Sequence, residues 1–173
     1  AGFIGSHLVD TLISEGAQVT VLDNLSTGHL SNLEQSLSEI DFIEGDIRDP
    51  NLVLKAMDGC DLIFHQAAVV SVPQSVEDPI DSAMVNITGT LNIIDAARKR
   101  RIKRVVLASS CAVYGDDPAQ PKHESQALQP KSPYALQNLV GEMHARLYYE
   151  LYGLESICLR YFNVFGPRQD PSS

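Results

Sequence analysis

Two short stretches hold the residues best suited to chemistry. In Ser109-Ser110-Cys111-Ala112-Val113-Tyr114-Gly115 a hydroxyl pair closes an apolar, β-branched run, and in Ser132-Pro133-Tyr134-Ala135-Leu136-Gln137-Asn138 a tyrosine falls in the first turn of a long helix. A hydroxyl at a strand end and a phenol at a helix start are suited to moving a proton to or from a substrate oxygen beside a redox cofactor. Taken singly, each is ordinarily a cap or a packed ring, so the joint spacing is the signal. Asn138 follows Tyr134 by four, so both side chains share one helix face, roughly opposite the apolar stripe Leu136, Val140, Met143 and Leu147.

A second signal points to the cofactor. Gly2-x-x-Gly5 enters a helix, and one helix and one strand later comes Asp23. Glycines let a backbone approach a pyrophosphate, a helix N-terminus supplies partial positive charge, and an acid about 20 positions on accepts hydrogen bonds from the adenosine ribose. An acid at that place favours NAD over NADP. The bland alternative for Gly2 and Gly5 is close helix packing. Asp46, in Gly45-Asp46-Ile47, ends the next strand and is either an acceptor for the adenine amino group or a turn or capping aspartate.

Positioning these groups requires alternating elements. Leu8, Leu12 and Ile13 give helical spacing closed by Gly16, and Gln18 to Leu22 is a strand ending at Asp23. Strands are expected over Asp41 to Glu44, Asp61 to His65, Arg104 to Ala108 and Ser156 to Arg160. Helices are expected over Pro50 to Met57, Asp81 to Arg98 and Ser132 to Tyr152. Short strands separated by helices imply an α/β, doubly wound, mainly parallel sheet covered on both faces, with a ligand at the strands' carboxyl ends. The chain opens on a glycine turn with no strand to feed it, and Tyr161-Phe162-Asn163-Val164-Phe165-Gly166-Pro167 reads as a strand leaving into a polar loop. The expectation is one domain over residues 1–173, lacking its first strand and most of a C-terminal substrate domain.

Composition narrows the classes. The chain has 173 residues, 44% hydrophobic and 20% charged, enough for one sizeable core. Its net charge of -9 disfavours a sequence-independent nucleic-acid role. The one basic run, Arg98-Lys99-Arg100-Arg101, reads as a helix C-terminus. No apolar stretch suits a membrane span and no signal peptide is evident, so the expected address is cytoplasmic. Cys60, Cys111 and Cys158 are odd in number and widely spaced, which suggests reduced thiols and neither disulfide nor metal site. His65 at an apolar strand end reads as a satisfied core histidine, and Tyr148, Tyr149 and Tyr152 as core or subunit packing.

Gly2-Phe3-Ile4-Gly5-Ser6-His7, Leu22-Asp23-Asn24-Leu25-Ser26-Thr27-Gly28, Gly45-Asp46-Ile47, His65-Gln66-Ala67-Ala68, Asn86-Ile87-Thr88-Gly89-Thr90, the Ser109–Gly115 and Ser132–Tyr134 stretches and Arg160-Tyr161-Phe162-Asn163 run in order through the chain. Together they resemble the extended short-chain dehydrogenase/reductase superfamily, and within it the NAD-dependent nucleotide-sugar epimerase branch. Ser71-Val72-Pro73-x-Ser75 and Arg168-Gln169-Asp170-Pro171 resemble its UDP-hexose and UDP-N-acetylglucosamine 4-epimerases.

The resemblance implies a Rossmann-like fold, NAD as a retained cofactor, a UDP-hexose substrate and a homodimer paired through the Tyr134 helix and the long helix before it. It implies that Gly2, Phe3, Ile4 and Gly5 cover the pyrophosphate, Asp23, Asn24, Leu25 and Ser26 hold the adenosine ribose, and Asp46 and Ile47 take the adenine. Gln66, Ala67, Ala68, Asn86, Tyr161 and Phe162 belong to the same cofactor surface, with Tyr134 and Asn138 at its nicotinamide end. Ser110 and Tyr134 match the catalytic hydroxyls, and Ser71 and Asn163 match substrate contacts. A dehydratase of this superfamily needs an Asp-Glu pair after the catalytic hydroxyl, where this chain has Cys111-Ala112.

Asn138 departs from the pattern, because the family carries lysine there, whose charge makes the tyrosine easier to ionise. Asparagine keeps hydrogen-bonding capacity but supplies no charge. A tyrosine of ordinary pKa is only about 0.1% ionised at pH 7, so turnover is expected to be strongly impaired. The alternatives are a sibling nucleotide-sugar enzyme of decarboxylase or reductase type, or a non-catalytic NAD-binding module.

Overall fold

The computed structural model describes residues 1–170, so Pro171 lies outside the described residues. Helix α1 (Phe3–Ser14) leads into strand β1 (Val19–Asp23), and two single 3-10 turns, Leu30–Leu33 and Leu37–Glu39, precede β2 (Ile40–Glu44). Helix α2 (Pro50–Ala56) begins on Pro50, with the Asp49 side chain accepting from the N–H groups of Asn51 and Leu52. Then come β3 (Leu62–His65), the short helices α3 (Val72–Glu77) and α4 (Pro79–Ala83), a π turn over Met84–Gly89, α5 (Thr90–Arg100), β4 (Arg104–Ser110), α6 (Pro133–Tyr152) and β5 (Glu155–Tyr161).

Every ladder is parallel, as the alternation predicts. The strands form two sheets, β1-β2 and β3-β4-β5, in place of the single expected sheet. This division accords with the expectation of a further strand ahead of Ala1.

Alternation along β4 explains the main core. Val105 and Leu107 are buried and pack with Ile93, Ile94 and Ala97 of α5 and Ala145 of α6. The other face of the three-stranded sheet carries Leu62, Phe64, Ile157 and Leu159, which are exposed among the described residues. Among the described residues every helix long enough to cover a sheet on this side of the chain, α5 and α6, packs on the Val105 face. A smaller cluster joins Ala1, Val9 and Leu33.

The helix expected over Asp81 to Arg98 is interrupted by the π turn. Nothing in its composition breaks an α-helix. The extra residue in that turn accompanies long-range hydrogen bonds made by Asn86, described below. The basic run does close a helix: Arg101 caps α5 in a left-handed conformation, and Arg98, Lys99 and Arg100 pair with Asp95, Asp95 and Asp58. All three cysteines are free thiols. Among the described residues no helix is long and apolar enough to cross a membrane.

Candidate functional site

Helix α6 is built to place Tyr134 at its start. Ser132 Oγ accepts from the Ala135 N–H at 3.1 Å, Pro133 occupies the first turn, and the Tyr134 N–H donates to the buried Ser75 Oγ at 3.2 Å. One turn on, Asn138 Nδ2 donates to the Tyr134 carbonyl oxygen at 2.8 Å. The amide is thus turned along its own helix, and its oxygen is the group left for a ligand. Ser110 ends β4 and caps the 3-10 turn Cys111–Tyr114, its Oγ accepting from the Ala112 N–H at 3.2 Å. A hydroxyl both accepts and donates, so capping leaves the Ser110 proton for another oxygen.

Ala67, Ala68, Asn86, Ser109, Asn138 and Glu142 converge on one small cavity of about 30 Å³, which His65 and Gln137 also line. Glu142 stands four residues beyond Asn138 and takes three hydrogen bonds: from Ser109 Oγ at 2.6 Å, Arg160 Nε at 2.9 Å and Arg160 NH2 at 2.7 Å. Arg160 also donates from NH1 to the Tyr114 hydroxyl at 2.9 Å, and its guanidinium lies 5.0 Å from the Tyr114 ring centroid. The Glu142 carboxylate holds the Arg160 guanidinium protonated well beyond its ordinary range. A carboxylate on the cavity wall is therefore neutralised by its own fork of donors.

His65 is a buried core histidine, with Nε2 2.9 Å from Thr90 Oγ1 and its pKa pushed down by burial to about 4. Its ring is neutral at neutral pH. Gln66 Nε2 is buried with no hydrogen-bond partner among the described residues, a donor of the kind a bound acceptor would satisfy.

At the carboxyl end of β1, Asp23 Oδ1 accepts from the Leu25 N–H at 2.8 Å and Oδ2 from the α-amino group of Ala1 at 2.9 Å. Ser26 N–H bonds Asn24 Oδ1 at 3.1 Å, and Asn24 Nδ2 donates to Asp46 Oδ2 at 3.0 Å, which joins the first two strand ends. Asp46 also receives the Arg48 N–H, Nε and NH2, so four donors meet one carboxylate and its pKa falls to about 2. An adenine amino group at Asp46 would displace one of these donors. The Ile47 side chain goes into the core against Gly89, leaving its backbone as the group an adenine could meet.

A Cβ added at Gly2 or Gly5 would meet no atom within 4 Å. Close packing among the described residues therefore requires neither glycine, and both sit at the N-terminal end of α1, where a pyrophosphate would meet helix N–H groups. Phe3, Ile4 and Tyr161 line a second, open groove of about 390 Å³ with Val164 and Phe165. Phe162 and Asn163 are exposed beyond it. Ser71 caps α3, its Oγ accepting from the Gln74 N–H at 3.2 Å.

The expected residues thus fall into three neighbourhoods: Ala67, Ala68, Asn86 and Asn138 around the cavity, Asp23, Asn24 and Asp46 at one pair of strand ends, and the glycine turn with Tyr161 along α1. Sequence reasoning gave no role of their own to Ser75, Gln137 and Arg160, which lie within the stretches quoted, and did not single out Ser82 or Glu142. Only Glu142 had a usable signal, since it continues the i, i+4 row of Tyr134 and Asn138.

The model of the family described as NAD dependent epimerase/dehydratase matches residues 1–173. The chain belongs to that family. It is 43% identical over 175 residues to the UDP-glucose 4-epimerase of Mycolicibacterium smegmatis, covering 99% of this chain and 56% of that protein. A UDP-N-acetylglucosamine 4-epimerase from Methanobrevibacter ruminantium M1, solved in complex with UDP-N-acetylmuramic acid, has a TM-score of 0.94 at 43% identity, with 99% of this chain and 55% of that chain covered. The dTDP-glucose 4,6-dehydratase DesIV from Streptomyces venezuelae, solved with NAD and TYD bound, has a TM-score of 0.95 at 35% identity over 100% of this chain and 56% of that chain. The chain spans about half the length of the relatives it matches.

Proposed function

We propose that this chain is the dinucleotide-binding part of a UDP-hexose 4-epimerase that works by transient oxidation at C4 of the sugar. The observation that carries this reading is the convergence of the β4 end, the Ala67-Ala68 loop, Asn86 and Asn138 on one cavity beside the Tyr134 turn. NAD, when bound, supplies the hydride acceptor for C4 and the donor for its return. The chain's own residues do the rest. Tyr134 takes the proton from the sugar O4, and Ser110 donates its free hydroxyl proton to the same oxygen. The backbone of Gly2, Phe3, Ile4 and Gly5 meets the pyrophosphate, Asp23 the ribose, and Gln66 Nε2 gains the acceptor it lacks. Residues 1–173 form the NAD-binding domain in this reading, and Asn163 and Ser71 face the substrate.

Two of the named relatives are 4-epimerases of UDP-sugars. The DesIV likeness raises a dehydratase as a competitor, and Cys111-Ala112 after Ser110 weighs against it. Homodimerisation is part of this reading, supported by exposed apolar side chains on the helices expected to pair and beside them: Leu136, Met143 and Leu147 of α6, Val76 of α3 and Ile80 of α4. Sedimentation as a monomer at micromolar concentration would remove that part of the reading.

The Asn138 amide, bonded to the Tyr134 carbonyl, brings no charge to the phenol. The chain as written therefore turns over slowly at best. One observation, that same inward bond, also favours a non-catalytic NAD-binding module. Product analysis with UDP-galactose and UDP-N-acetylgalactosamine, using Asn138→Lys in the full-length protein, separates the two. Restored C4 inversion supports the epimerase, tight NAD binding without inversion supports the module, and an unchanged rate removes the assigned role of position 138.

A further inference from the structure

The first two turns of α6 are held against α3, α4 and the π turn by four polar side chains that are almost wholly buried: Ser75, Ser82, Asn86 and Gln137, the last 3% exposed. Their hydrogen bonds run in one direction. Ser82 Oγ donates to the Pro79 carbonyl at 3.1 Å, which spends its only proton, so its lone pairs accept Gln137 Nε2 at 2.9 Å. With its nitrogen committed there, Gln137 presents Oε1 to Asn86, whose Nδ2 donates at 2.7 Å. Asn86 must then turn its own oxygen the other way. Its Oδ1 accepts the Val69 N–H at 2.9 Å, and Nδ2 also reaches the Val69 carbonyl at 2.9 Å. An asparagine amide has two donors and one carbonyl, and all are used.

Val69 directly follows Ala67 and Ala68, which wall the cavity beside Asn138. The relay therefore fixes the spacing between two walls of that cavity, one on a loop and one on the helix that carries Tyr134. The π turn brings Asn86 to the meeting point. Were position 137 apolar, Asn86 would keep its two bonds to the Val69 backbone but lose its buried tie to the Tyr134 helix.

We propose that Gln137 is a positioning residue for the nicotinamide half of the cofactor: through Asn86 it clamps the Val69 backbone and sets the Ala67–Val69 loop against the Tyr134 helix. This rests on the reading of the chain as an NAD-binding domain. In this proposal Gln137 acts through where the loop stands and not by a hydrogen bond of its own to the cofactor.

The test compares wild type with Gln137→Met, which keeps length and loses both hydrogen bonds, and Gln137→Glu, which keeps an acceptor for Asn86. Two quantities are measured: amide hydrogen exchange at Val69 relative to Val105–Leu107 of β4, and NAD affinity by titration calorimetry. Gln137→Met is expected to speed Val69 exchange about tenfold with the β4 amides unchanged, and to weaken NAD about tenfold, the factor that one or two lost buried hydrogen bonds supply. Gln137→Glu is expected to recover both to within about threefold, because Asn86 again meets an oxygen. Unchanged Val69 exchange in Gln137→Met, faster exchange without loss of NAD affinity, or Gln137→Glu behaving like Gln137→Met would each overturn the proposal. If Gln137→Met lacks a cooperative melt, Ser82→Ala takes its place, with about threefold faster Val69 exchange expected and none overturning it. Should wild type bind no NAD, the domain reading fails by itself, and Val69 exchange in the variants still decides the clamp.

Discussion

Cutting Arg160 back to methionine isolates the ion pair at the cavity wall. The Arg160 and Glu142 side chains are only 19% and 12% exposed, and the carboxylate takes two of its three hydrogen bonds from this guanidinium. Removing one partner of a buried pair costs about 3–5 kcal/mol, because the other charge is left without compensation. Residual solvent contact lowers the expectation for Arg160→Met to roughly 2–3 kcal/mol. For a chain of this size that is a fall of roughly 4–12 °C in melting temperature. With Glu142→Leu alone expected to cost a similar roughly 2–3 kcal/mol, the double variant Arg160→Met, Glu142→Leu removes both charges and should return to within about 1 kcal/mol of wild type, a coupling of about 3 kcal/mol or more. The chain has no tryptophan, so urea unfolding is followed by far-UV circular dichroism. Strictly additive losses in the double variant would refute the argument that Arg160 acts by neutralising Glu142.

Three further outcomes follow from single contacts. Burial holds His65 near pKa 4 when folded against about 6.5 when unfolded, so the unfolded chain binds the extra proton. Its share of stability, about 3 kcal/mol, is intact above pH 6.5 and is lost as pH falls to 4; urea midpoints against pH should show the slope, and His65→Gln should flatten it. Gly5→Ala has open space for its methyl and replaces a helical glycine, so the chain should gain up to about 1 kcal/mol, read as a higher melting temperature, while NAD affinity falls at least tenfold in calorimetry. Gly115 has φ +64° and ψ -144°, and a Cβ there would collide with the Gln129 carbonyl; Gly115→Ala should cost more than about 2 kcal/mol in thermal melts.

Much of the frame was legible because it is written in local chemistry. Strand and helix periods, Ser132 before Pro133, Asp49 before Pro50 and the left-handed stop after Arg100 each act within a few residues. The candidate hydroxyls and the glycine turn were found because their chemistry dictates residue type and spacing together. The π turn was not legible, since an α and a π turn accept the same residues and the choice rests on bonds from Asn86 to Val69 and Gln137, 17 and 51 positions away. Asp46 looked available for a ligand because Arg48, which saturates it, reads in sequence only as a charged neighbour. Glu142 and Arg160 come from separate elements, α6 and β5, and their pairing depends on how those elements stack.

The π turn has a consequence for how this sequence can change length. It holds one residue more than a regular helical turn, so a single deletion between Met84 and Gly89 leaves a continuous α-helix with every backbone bond intact. Such a deletion is cheap for the helix, whose flanking segments keep their phase because the π turn had absorbed the extra residue, but it removes the bulge that carries Asn86 to Val69 and Gln137. A library screened only for heat resistance would therefore admit deletions here that a library screened for cofactor retention discards.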